Sequence, residues 1–163
     1  MTDITDKITY YDLFVNLLPG VIFAVILQKI TSYTFLQDNI VVELFFYYLI
    51  GLILNGLGSM LLKPLLIAIK FVEFEKYEDY ILACKEDLKI ELLSEKNSMY
   101  LTFSTLFALL AILEFYDLIF NSFSVLNCST LLLTIFLMMF FLVFYKKQTN
   151  YVIKRIQNAC KPK

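Results

Sequence analysis

Four apolar runs separated by charge set the rhythm of this chain. No charged residue falls between Asp12 and Lys29, and further apolar runs cover 44–62, 97–113 and 118–145. A membrane-spanning helix needs about 20 residues, with roughly 17 tolerated. The pattern therefore predicts transmembrane helices at about 12–30, 42–63, 99–120 and 125–145. The first run is short, but Lys29 can snorkel outward and lengthen it. Its leading flank is acidic (Asp3, Asp6, Asp12) and no A-x-A site follows it, so it reads as a retained helix rather than a cleaved signal. The expected fold is all-α: a single integral membrane domain over 1–163, with four transmembrane helices, a cytoplasmic helical hairpin or extension at 64–98 and a basic cytoplasmic tail at 146–163.

The 64–98 connection has a different pattern. Phe74, Tyr77, Ile81, Cys84 and Leu88 recur at spacings of three and four, which places them on one helical face. Glu73–Lys76 and Glu86–Lys89 add minor i,i+3 support. Pro64 sits where helix 2 would leave the membrane and a kink is tolerated. The stripe either packs against a neighbouring copy, the C-terminal helix or the membrane surface, or it docks a cytoplasmic partner; Phe74, Tyr77, Ile81 and Leu88 are the candidate partner face.

Charge supplies orientation. With four spans, every one of the 14 Lys and Arg except Lys29 falls on one side, and the positive-inside rule makes that side the cytoplasm. The expected location is the bacterial inner membrane, with both termini inside. Lys146 and Lys147 stand where anionic lipid headgroups attract cations.

Composition agrees, and it excludes chemistry. Sixty per cent of residues are hydrophobic and 18% charged, an apolar excess that a core of 163 residues cannot absorb. With no His, the chain builds no imidazole base, His metal ligand or Ser-His-Asp triad. Neither GxGxxG nor a Walker A pattern occurs, and net charge −1 gives no global attraction to nucleic acid. Cys84, Cys128 and Cys160 form no CxxC pair and read as isolated reduced thiols. The chain is expected to be neither an enzyme nor a cofactor carrier.

Polar and small residues inside the spans are the candidate sites. Gly51, Asn55 and Ser59 follow one another at intervals of four on helix 2. Small residues let backbones approach and Asn bonds across helices, so this stripe serves helix packing or lines a pore. Ser104, Ala108 and Ala111 make a similar stripe on helix 3. Glu114 and Asp117 approach the outer interface, near Asp38, Glu43 and Lys29. These acids form an outer polar cap, a ligand- or ion-sensing site or a proton-coupling site. At the start of helix 1, Pro19 removes a backbone donor, and the Asn16 amide is placed to satisfy a freed carbonyl.

The run Tyr10-Tyr11-Asp12-Leu13-Phe14-Val15-Asn16-Leu17-Leu18-Pro19-Gly20, followed by four spans and a charged hairpin, resembles small membrane proteins of bacterial antiphage defence loci. Those include the membrane subunit of the Kiwa system and membrane effectors of cyclic-nucleotide-triggered defence. The motif positions are Tyr11, Asp12, Asn16, Pro19 and Gly20, where a hinge is the sharper reading of the proline kink. The resemblance implies a homo-oligomer that senses or damages the membrane alongside a cytoplasmic partner. The alternative is a small transporter or channel subunit with its pore at an oligomer axis.

Overall fold

The computed structural model describes residues 13–30, 39–120 and 125–160, and these are almost entirely helical. A π-turn at Leu13–Leu17 leads into α1 (Leu18–Ile30). Helix α2 (Ile40–Leu57), a second π-turn (Gly58–Leu62) and α3 (Lys63–Ala68) form one continuous rod. Then come a short helix α4 (Tyr77–Glu86) and two long ones, α5 (Lys89–Phe120) and α6 (Val125–Ala159). Three helices are long and apolar enough to cross a membrane: Ile40–Ala68, Lys89–Phe120 and Cys128–Ala159. The apolar helix over Val15–Lys29 is shorter; at 1.5 Å per residue it covers about 22 Å, against about 30 Å of hydrocarbon.

The long helices overrun the apolar segments. With 32 and 35 residues, α5 and α6 are about 48 and 53 Å long, roughly 20 Å more than a bilayer core requires. The excess lies at the Lys-rich end, where the sequence alone indicated a connection up to 98 and a tail from 146. Ile90, Val152 and Ile156 are buried there against Ala83 of α4. Their charged neighbours face water, so mean hydropathy falls while the helix continues. We call this end the head.

Core residues stack in three layers along α5 and α6. In the apolar region Leu54, Phe103, Leu106, Phe107 and Leu110 pack with Ile22 and Phe23 of α1, and Phe141 stacks on Phe103 at 4.8 Å. The middle layer joins Leu66, Val72, Leu101 and Tyr145, and the third is the head core. Helix α5 is central and buried on all sides from Leu101 to Phe107. Its small polar residues fit that position: Thr102, Ser104 and Thr105 donate to the carbonyls of Ser98, Tyr100 and Leu101.

Both interior prolines follow a π-turn by the same offset. The turn at 13–17 precedes Pro19, and that at 58–62 precedes Pro64. A proline ring crowds the carbonyl four residues back and donates nothing to it. Widening the helix relieves that conflict: the Lys63 N–H bonds the Gly58 carbonyl, five residues back. The Asn16 side-chain oxygen turns toward α2, where it accepts from Asn55.

A Schellman turn ends α3. Lys70 adopts φ 56°, its N–H bonds the Ile67 carbonyl, and Phe71 N–H bonds Leu66 O at 2.9 Å. An extended strap then runs over 72–76 to α4. A cation meets it on either side of its start: Lys63 Nζ lies 4.6 Å from the ring centroid of Phe74 in the strap, and Lys146 Nζ lies 4.6 Å from that of Phe71 in the turn before it.

Candidate functional site: a polar layer and cavity where the head meets the apolar bundle

Helices α1 and α2 cross in backbone contact. A Cβ on Gly20 would collide with the Tyr47 carbonyl, and one on Gly51 with the backbone of Asn16. One turn beyond Gly51, Asn55 Nδ2 donates to Asn16 Oδ1 at 3.3 Å, and Ser98 Oγ of α5 donates to Asn55 Oδ1 at 3.3 Å. The next-door residue Asn97 points to the other side of α5, where its Nδ2 donates to Thr149 Oγ1 of α6 at 3.0 Å. Thr149 in turn donates to the Tyr145 carbonyl at 2.9 Å. One polar layer thus ties together the start of helix 1, α2, α5 and α6. Asn16, Asn97 and Thr149 are buried, so each unmade bond here would carry a desolvation penalty.

Directly on the head side of this layer lies a cavity of about 530 Å³. Ser59 and Lys63 line it from the α2–α3 rod, Phe74 from the strap, Tyr77 and Tyr80 from α4, and Asn97 and Ser98 from α5. Tyr77 and Tyr80 stack at 6.5 Å. Burial pushes the Tyr80 phenol above its ordinary range, so it remains a neutral hydrogen-bonding group. Glu75 at the rim accepts from Gln157 Nε2 at 2.6 Å. Ile67, Leu101, Val152, Ile153 and Ile156 add an aliphatic wall, so hydroxyls, amides, aromatic rings, one ammonium and the Glu75 carboxylate face a largely apolar lining. Among the described residues no group of three His, Cys, Asp or Glu is placed to hold a metal.

No protein-family model, curated protein or solved structure matches the chain.

The candidates from the sequence fall as follows. Tyr11, Asp12 and Asp38 lie outside the described residues. Asn16, Pro19, Gly20, Gly51 and Asn55 come together at the α1–α2 crossing, and Ser59 lines the cavity. Glu43 accepts the Tyr47 hydroxyl one turn along α2. Glu114 has one carboxyl oxygen, Oε2, buried without a hydrogen-bond partner among the described residues, while Asp117 has an interaction partner. Tyr77 and Ile81 sit on the exposed side of α4, and Leu88 is 79% exposed at the break before α5. Phe74 lies in the strap rather than on α4, because the left-handed turn at Lys70 delays the helix. Lys146 reaches Phe71 at the turn before the strap, and Lys147 faces a separate groove. Sequence reasoning did not select Asn97, Ser98 or Thr149. The adjacent amide and hydroxyl opening the third apolar run were the available signal.

Proposed function

We propose that the chain is a multi-pass inner-membrane protein, with its head in the cytoplasm, that relays the state of the bilayer to a cytoplasmic protein. The carrying observation is mechanical continuity. Helices α5 and α6 each run unbroken from the apolar bundle into the head, and α4 packs on both through Ala83, Ile90, Val152 and Ile156. A shift of either helix in the membrane must move the surface that Tyr77, Ile81 and Leu88 expose. The Lys/Arg asymmetry supports the orientation, and Val15–Lys29 serves as the fourth span, thinning the bilayer or snorkelling at Lys29. Homo-oligomerisation and a role in antiphage defence rest on the resemblance carried by residues 10–20.

Point substitutions test this without removing the α4 residues that form the head core. In cells carrying the gene with its neighbours, Tyr77→Ala combined with Ile81→Asp and Leu88→Asp should leave membrane content unchanged and abolish protection against phage. Full protection by that variant refutes the reading. The transport alternative has one observation in its favour, the unpartnered Glu114 oxygen.

A further inference from the structure

Helix α6 carries a stripe that changes character along its length. Phe136, Phe140, Phe144, Lys147, Tyr151 and Lys154 follow at spacings of four, four, three, four and three, so they share one face. In the apolar half the rings form a ladder: Phe136 lies 6.4 Å from Phe140, and Phe140 lies 4.6 Å from Phe144. Phe136 and Phe140 are exposed. Tyr100 of α5 lies 5.7 Å from Phe144 and closes the end of the ladder.

Where the stripe turns basic, the surface becomes concave. Tyr100, Phe144, Lys147, Tyr151 and Lys154 line a groove of about 490 Å³, and no carboxylate lines it. Arg155 stands behind Tyr151, donating from its guanidinium to the phenol oxygen at 3.3 Å. Lys147 and Lys154 are two turns apart, about 10 Å along the axis, so one phosphate between them lies about 5 Å in height from each. The neighbouring lysine does not share this role, because Lys146 is turned to the Phe71 ring.

We infer that this groove holds the headgroup of an anionic glycerophospholipid whose acyl chains lie along Phe136 and Phe140. The inference rests on the reading of the chain as a membrane protein. Charge decides the class of occupant: two ammonium groups without an opposing acid select an anionic phosphate over a zwitterion. Continuity points to the source, since the groove opens from an exposed aromatic face at membrane depth, where acyl chains can lie along Phe136 and Phe140.

The test is lipid binding by the full chain in detergent, titrated with phosphatidylglycerol and with phosphatidylcholine and read by native mass spectrometry. Phosphatidylglycerol should bind preferentially. Lys147→Gln and Lys154→Gln should each weaken it about fivefold, while the exposed head substitutions Lys76→Gln and Lys85→Gln leave it unchanged. Equal binding of the two lipids, or equal loss with the head substitutions, overturns the site. Displacement of the lipid by inorganic phosphate at similar concentration would show a soluble-anion site and overturns the lipid assignment. Membrane fractionation of the same protein separates the two failures: a chain that sediments with membranes yet shows no lipid preference loses only this inference.

Discussion

Asp87 accepts the Nε–H of Arg155 at 2.8 Å, and its other carboxyl oxygen caps α5 by accepting the Lys89 N–H at 3.0 Å. One aspartate thus starts a long helix and ties it to the next. The backbone bond from Lys89 and the Arg155 guanidinium hold its carboxyl below the ordinary aspartate value. A depressed carboxylate contributes stability that is complete above its unfolded pKa and is lost as pH falls through the folded one. The head should therefore keep its stability from neutrality down to about pH 4 and lose this part only below. Both side chains remain about 30% exposed, so salt screens the pair and the effect is modest. Asp87→Asn keeps the cap without the charge, and Asp87→Ala loses both. Hydrogen exchange of residues 89–93 should accelerate in the order wild type, Asp87→Asn, Asp87→Ala.

Backbone contact at Gly20 and Gly51 makes a sharper prediction. Valine at either position should cost about 1–3 kcal/mol of thermal stability in detergent through overpacking. Gly56 meets nothing within 4 Å, so Gly56→Ala should be neutral or stabilising by up to about 1 kcal/mol. Equal losses at all three glycines would contradict the crossing.

Lys70 stands where a Schellman turn favours glycine. Lys70→Gly should raise stability by roughly 0.5–1 kcal/mol, and Lys70→Val should lower it. A melting temperature lowered by glycine would exclude the left-handed turn.

Which parts were legible follows from these residues. The apolar runs located the long helices because a run long and apolar enough to cross a membrane stands out by length alone, whatever its periodicity. The head was obscured because Ile90, Val152 and Ile156 alternate with charged residues, so an average over the window reads as a tail. Lys70 hid the strap: without glycine, nothing in the sequence marks the turn. The stripe through Tyr77 and Ile81 was visible as a periodicity, yet the face α4 buries is centred on Ala83 and flanked by Tyr80 and by Cys84, the one member of the stripe that packs against the head core. Asn16 and Asn55 stood out singly as polar residues in apolar runs. Their pairing needed the helix crossing, which only three dimensions supply.

Glu114 separates relay from transport. Glu114→Gln keeps the shape and removes the ionisable group, so a relay retains phage protection. A proton-coupled carrier loses flux in vesicles with the same substitution. Loss of protection together with loss of flux would favour transport.

The central claim, a head held in the cytoplasm by membrane-crossing helices, is tested most directly by thiol accessibility. In a background lacking the other cysteines, a chain retaining only Cys160 and one carrying only Ser124→Cys are treated with a membrane-impermeant maleimide on intact spheroplasts. The account predicts labelling of position 124 at once and of Cys160 only after permeabilisation. Labelling of Cys160 in intact spheroplasts would contradict it.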